Sequence, residues 1–369
     1  MQKRASECEA PPTAAYGCAE RVRIGLATHM LPIIDAHLDL AYLAQQGVDL
    51  TQATHDRRRF GVNLPSLRSA GVRLAFGTIF TEWVDAKDHR ALQPWEYAGP
   101  DDAARAERVG LDQLGIYNEL WTRGLVRVVL SSSALHVERD SAVEGALDAA
   151  PLQVLLLMEG ADPLRTPDDL AQWCALGVRA IGLSWARGSR YAGGNAQPGP
   201  LTALGRALLD AMHDQGAILD LSHLSDESFD QALDHFDGPV MASHSNARAL
   251  LEPSQRHLRD DQALRIADRG GVIGLNLYGR FLASGRRATI EDAVRHLQHW
   301  RSLIGVAHIG LGSDLDGGFG PDDCAEGLAR PEEVPTLFDA LRRAGWSETE
   351  VEAVASQSWL DFLRRSLPV

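Results

Sequence analysis

The sequence predicts an α/β fold: a (β/α)8 barrel of the TIM type with extra helices at its C-terminal end. Three observations predict it. Short apolar runs alternate with amphipathic stretches from residue 31 to the C-terminus. The apolar runs are hydrophobic on both faces, as parallel strands covered by helices must be. No repeat, low-complexity tract or shift of composition divides the chain, so residues 31–369 are expected to form one barrel domain. Residues 1–30, with Pro11-Pro12 and no period, read as a poorly ordered tail.

The elements follow in order. The first strand is expected at 33–38 and the second at 72–80. The stretch from Val84 to Asp101 is polar, lacks a period and holds Pro94, Trp95 and Pro100, so 84–101 reads as an insertion or lid loop. A helix is expected over 102–122, then strands at 126–131, 153–159 and 178–184. Helices at 202–215, 226–235, 260–269 and 289–303 alternate with strands at 217–222, 239–243, 272–277 and 308–313. Nine strands are one more than the barrel needs, and 126–131 is assigned as a side strand. Residues 334–367 read as two or three helices.

Composition excludes several functions. The 36 Lys and Arg against 50 Asp and Glu leave a net charge of −14, which disfavours nucleic acid and anionic membrane as partners. Only Lys3 and Lys87 are lysines, so a phosphate-binding G-x-x-x-x-G-K loop is absent and a Schiff-base lysine is not expected. Cys8, Cys18, Cys174 and Cys324 form no Cys-x-x-Cys pair and read as reduced thiols of a cytoplasmic protein. The first 30 residues lack the apolar run of a signal peptide, and no uncharged stretch of about 18 residues suits a membrane span.

The chemistry lies at the strand ends. Five apolar runs finish in a residue able to bind a metal: His37 and Asp39, Glu159, His223, His244 and Asp314. Residues i and i+2 of a strand share a side, so His37 and Asp39 can hold one ion together. Singly, each has an ordinary explanation: a loop carboxylate for Glu159, a pre-cap residue for His223, a core histidine for His244, a turn for Asp314. Jointly they do not. A parallel barrel gathers the C-terminal ends of its strands at one rim. Three histidines and three carboxylates there suit two zinc-like ions, one carboxylate bridging them.

These residues resemble the membrane dipeptidase, or renal dipeptidase, family of binuclear zinc peptidases, which are amidohydrolase-like metal-dependent hydrolase barrels. The resemblance spans roughly residues 31–365. It is carried by Asp35-Ala36-His37-Leu38-Asp39-Leu40, Glu159-Gly160, Asp220-Leu221-Ser222-His223, Ser243-His244-Ser245-Asn246-Ala247, Arg256-His257-Leu258-Arg259-Asp260-Asp261, the run from Gly271 to Tyr278, and that from Gly310 to Gly317. It implies that His37 and Asp39 bind one zinc, that His223 and His244 bind the other, and that Glu159 bridges them. It implies further that Asp314 shuttles a proton for a metal-bridging hydroxide, and that Arg256 pairs with the substrate's terminal carboxylate. Tyr42, Trp185 and Tyr278 become candidate substrate contacts. Tyr42 stands where a Trp is common. Trp185 stands where mammalian members carry an oxyanion-contacting histidine, and an indole donates one hydrogen bond but cannot become a cation. Ala36 and Leu38 also depart from the mammalian pattern. Asp316 is expected to support the metal site from behind; the loop Gly193-Gly194-Asn195, with Pro198-Gly199-Pro200, reads equally as a pocket lining and as a plain flexible loop.

The function implied is a zinc-dependent dipeptidase, soluble like the bacterial members, that tolerates a D-residue at the C-terminal position of its substrate. Mn or Co could replace Zn at such ligands. A homodimer is also implied, with the C-terminal helices as its interface. The alternative is a metal-dependent amidase acting on N-acyl amino acids or another small amide. A barrel that binds without turnover is the third reading, and the intact ligand set and Asp314 argue against it.

Overall fold

The computed structural model describes residues 31–53, 61–85, 90–137 and 150–369. The tail expected over 1–30, with Cys8 and Cys18, lies outside the described residues. In chain order the strands are β1 (Ile33–Leu38), β2 (Val72–Phe80), β3 (Glu82–Val84), β4 (Glu96–Ala98), β5 (Val126–Val128), β6 (Leu152–Glu159), β7 (Val178–Gly182), β8 (Ile218–Asp220), β9 (Val240–Met241), β10 (Ile273–Leu275) and β11 (Ile309–Leu311). The helices are α1 (Leu40–Gln45), α2 (Leu64–Ser69), α3 (Ala103–Thr122), α4 (Leu170–Ala175), α5 (Ala203–Gln215), α6 (Asp226–His235), α7 (Asp260–Asp268), α8 (Ile290–Ile304), α9 (Val334–Arg343), α10 (Glu348–Glu352) and α11 (Ser358–Ser366).

Eight parallel strands pair in the order β10-β11-β1-β2-β6-β7-β8-β9. A parallel bridge between Ala242 and Ile273 joins β9 back to β10 and closes the ring. The fold is the expected (β/α)8 barrel. As expected, β5 stands outside the ring, paired with the start of β6 through Val126 and Leu152. Gly274 and Gly312 make the closure possible: a Cβ there would lie 1.9 and 1.8 Å from the Ser243 carbonyl oxygen.

Side-chain alternation sorts each strand into two layers. Ile34, Leu74, Phe76, Leu155, Leu157, Ile218 and Met241 fill the barrel together with Trp359, Phe362 and Leu363 of α11. Ile33, Ala75, Val154, Leu156, Ile181 and Leu219 face outward into the helical layer. Trp359 seals the N-terminal end: its indole N–H donates to the Leu311 carbonyl (2.9 Å) and its ring lies 5.2 Å from Phe76. Below α9, α10 runs through a π-helical turn at Ala353–Gln357 into α11. The other end of the barrel is therefore left for polar chemistry.

The structure corrects the expectation at 84–101. Glu96–Ala98 is a strand paired in parallel with Glu82–Val84. Polar contacts flank the buried Tyr97 ring that anchors it. Arg90 donates two hydrogen bonds of 2.6 Å to the Glu96 carboxylate, and Arg105 Nε donates to the Glu96 carbonyl (2.7 Å). The strand expected over 239–243 is also shorter: it spans Val240–Met241, with the single bridge at Ala242 beyond it. Beyond it the Ser243 N–H turns to the Asp220 carboxylate (2.9 Å) instead of to a neighbouring strand.

Candidate metal centre

All six candidate residues stand at the C-terminal rim. His37 lies in β1 and Asp39 just beyond it, Glu159 closes β6, and His223, His244 and Asp314 follow β8, β9 and β11. Alternation explains Glu159, which continues the inward series Leu155 and Leu157. It does not explain His37, because Ile34 and Ala36 already face inward. The β1–β2 register slips between Asp35 and Leu38, which turns His37 into the barrel and Leu38 out to the helical layer. His223 and Asp314 take left-handed backbone, φ 65° and 57°, at a cost of about 1–2 kcal/mol each. Hydrogen bonds hold them there: the Asn195 N–H to the His223 carbonyl (2.8 Å) and the Asp314 N–H to the His37 carbonyl (3.1 Å).

The ligand atoms converge on Glu159. Its Oε2 lies 3.5 Å from His37 Nε2, and its Oε1 lies 3.2 Å from His223 Nε2 and 3.5 Å from His244 Nε2. His37 Nε2 is 3.9 Å from Asp39 Oδ1. The donor atoms of His37, Glu159 and His244 lie within 4.8 Å of one another, as do those of His37, Asp39 and Asp314.

The surrounding hydrogen bonds decide which ring nitrogens are free. His223 Nδ1 faces Asn195 Oδ1 at 2.9 Å, so it carries the proton. Ser243 Oγ donates to Asp220 Oδ2 (2.5 Å) and therefore accepts from His244 Nδ1 (2.7 Å). Both rings are left with a bare Nε2 lone pair, and these two atoms lie only 2.9 Å apart beside a carboxylate. Lone pairs set against each other repel unless a cation lies between them. The donor set thus fits a divalent ion with N/O ligands. Asp35 plays a matching part on the other side, accepting from the N–H groups of Ser313 (2.7 Å) and His37 (3.3 Å). Thr78 Oγ1 donates to Asp39, and Asn276 Nδ2 to Asp314 Oδ2 (2.8 Å).

The electrostatics are those of a cation site. Burial disfavours the charged form of His37, but the Glu159 carboxylate, with Asp39 and Asp314 behind it, outweighs burial and holds it up at about 10. Burial, and then the Glu159 charge, raise Asp39 to about 8. Burial, then the Arg256 charge, depress His223 to about 4. Asp314 is raised by burial. Asp316 is buried beside Asp39, with neither carboxylate oxygen hydrogen-bonded, and burial and then Asp39 push its pKa far up.

Above the cluster opens a cavity of about 370 Å³, at the lower end for small-ligand sites. Tyr42, Trp185 and Tyr278, the candidate substrate contacts, line it together with Phe80, Glu82, Phe281 and Phe319. Arg256 is not among the lining residues. Its buried guanidinium donates to the His244 carbonyl (2.8 Å) and Ser245 Oγ (3.3 Å) and lies 5.0 Å from the centre of the Phe281 ring, which itself lines the cavity. Among the described residues no carboxylate pairs with it, and its Nε has no acceptor.

Residues 23–365 match the family model of membrane dipeptidase, peptidase family M19. The chain belongs to this family. It is accordingly a metal-dependent hydrolase. A Schizosaccharomyces pombe protein named as an uncharacterised dipeptidase is 28% identical over 349 residues, covering 92% of this chain and 82% of its own. The solved structure of dipeptidase AC, an M19 metallopeptidase, superposes with a TM-score of 0.77 at 27% identity, covering 92% of this chain and 100% of that one. A Rhodobacter sphaeroides metallopeptidase, solved with a phosphinate mimic of the dipeptide L-Ala-D-Ala, gives a TM-score of 0.76 at 27% identity over 91% of this chain and 99% of its own. Among the described residues no helix is long and apolar enough to cross a membrane.

Family membership leaves several site residues unannounced. Ser243, Asp220 and Asn195 sit inside or near the motifs, yet their hold on the histidine tautomers is visible only in three dimensions. Glu82, Phe281 and Phe319 lie outside the strand ends that carry the candidate ligands. The signal that could have found Glu82 is alternation: Thr78, Phe80 and Glu82 are successive i, i+2 positions that climb from Asp39 into the cavity.

Proposed function

We propose that this protein hydrolyses the peptide bond of dipeptides, a D-residue being accepted at the C-terminal position, with two zinc ions held by His37, Asp39, Glu159, His223 and His244. The observation that carries the reading is the division of Glu159. One oxygen faces His37 and the other faces the His223–His244 pair, as a residue shared by two ions requires. Divalent ions bound there would polarise a carbonyl and lower the pKa of water. The chain's own groups do the rest. Asp314, fixed by Asn276, takes the proton and delivers it to the leaving amine. Trp185 donates no hydrogen bond among the described residues, so its indole N–H is available to a developing oxyanion. Phe80 and Trp185, in edge contact at 5.1 Å, keep water from that side. Arg256 receives the terminal carboxylate once the Phe281 ring turns aside, its fork pairing two oxygens. A requirement for a free carboxylate and a small cavity favour dipeptides over longer peptides. Cys174 and Cys324, both unpaired thiols, support a cytoplasmic setting.

The test is amine release from L,L- and L,D-dipeptides and from N-acyl amino acids, using zinc-loaded protein with Asp314→Asn as control. Chelator-sensitive cleavage of free dipeptides, lost in the control, is expected. Cleavage of N-acyl compounds alone would replace this reading with the amidase.

A further inference from the structure

We propose that Glu82 is a subsite for a cationic side chain, so that the preferred dipeptides carry a lysine- or arginine-type residue at their N-terminal position. The proposal rests on the dipeptidase reading above. Glu82 lines the cavity and is half-buried; its backbone N–H donates to the Trp95 carbonyl (3.0 Å), while its carboxylate makes no hydrogen bond or ion pair among the described residues. The two cations nearest in effect are engaged elsewhere. Arg90 grips Glu96 with two hydrogen bonds of 2.6 Å, and Arg187 stacks 4.2 Å from the Trp83 ring. Among the described residues no lysine or arginine lines the cavity. Burial and then Glu96 raise the Glu82 carboxyl in spite of Arg187 and Arg90. A half-buried carboxylate of this kind gains from a ligand cation.

Distance selects a side chain over the substrate's own α-ammonium. Phe80 sits in register with Glu159, and Glu82 is two residues further along. β2 ends at Phe80, and two extended residues span about 7 Å, so the Glu82 backbone stands up to about 7 Å beyond the level of Glu159. The α-nitrogen of a dipeptide is two bonds, or about 2.5 Å, from the carbonyl carbon that must lie at that level. A lysine Nζ reaches roughly 6 Å from its Cα on a four-carbon stem. Topology selects the N-terminal residue. In the ring of eight, β2 stands four places from β9, directly across the barrel. Arg256 lies in the segment after β9, so a carboxylate drawn towards it leaves the N-terminal residue facing Glu82.

The test compares kcat/KM for Lys-Ala, norleucyl-Ala and Ala-Lys on metal-loaded full-length protein, in wild type, Glu82→Gln and Glu82→Asp. Norleucine matches the lysine stem without its charge, and a ratio cancels differences in metal content. A charge-assisted contact at a partly solvated rim predicts an advantage of about tenfold for Lys-Ala over norleucyl-Ala. The ratio is expected to fall to about one in Glu82→Gln, to survive in part in Glu82→Asp, and to shrink as salt is added. A ratio near one in wild type, an unchanged ratio in Glu82→Gln, or Glu82-dependence confined to Ala-Lys overturns the proposal while leaving the dipeptidase reading intact. Failure to cleave any of the three, norleucyl-Ala included, refutes the dipeptidase reading itself and the subsite with it.

Discussion

Replacing Gly317 by alanine should separate catalysis from folding and from metal binding. An alanine Cβ at this position would lie 2.0 Å from Asp314 Oδ1 and 2.9 Å from its Cγ. Contacts below about 3 Å are not sustained between such atoms, so the carboxylate must retreat by about 1 Å. The retreat strains the hydrogen bond from Asn276 and carries the proton-handling oxygens off their line. A displacement of 1 Å in a reacting group can cost about 10²-fold in rate, or about 2.7 kcal/mol of transition-state stabilisation. Stability should change little, by about 1 kcal/mol or less, because the group that gives way is the end of a side chain and its off-rotamer cost is of that order. The assay is kcat and KM on dipeptides beside zinc content and a melting curve. A fall in kcat of about 10²-fold, with KM, zinc content and Tm near wild type, is expected. Wild-type kcat in Gly317→Ala would show that the placement of Asp314 is not critical and would refute the role given to it.

Two further perturbations test other parts of the structure. Ser243→Ala removes the acceptor of His244 Nδ1–H and a donor to Asp220 at once, and zinc affinity is expected to fall about 10- to 100-fold in a competition titration with a chelator; unchanged affinity would mean that the tautomer is set by something else. Trp359→Ala empties the sealed end of the barrel, and a loss of about 3–5 kcal/mol is expected from urea unfolding, so a loss under about 1 kcal/mol would show that α11 is dispensable to the core.

Much of this protein was determined by sequence alone. Strands buried on both faces, separated by amphipathic helices, admit few folds other than a parallel barrel, and a parallel barrel gathers its strand ends at one rim. That is why the six strand-end residues group together from the sequence, whereas the inward phase of Glu159, shared with Leu155 and Leu157, is hidden in an uninterrupted apolar run. The weakly patterned parts were harder. The strand at Glu96–Ala98 is held by Arg90 and Arg105 rather than by a hydrophobic period, so no local pattern announces it.

Tertiary structure decided the rest. Strict alternation from Ile34 and Ala36 would have turned His37 away from the site, and only the register slip against β2 brings it back. The free nitrogens of His223 and His244 depend on Asn195 and on the Ser243–Asp220 pair, contributed by other segments of the chain. Arg256 proved to stack on Phe281 outside the cavity lining, and Glu82 to face the cavity with its carboxylate unpaired among the described residues. Side-chain period is a local property, which a sequence displays directly. Register, tautomer and occlusion depend on which distant segments cross, and those contacts exist only once the barrel has closed.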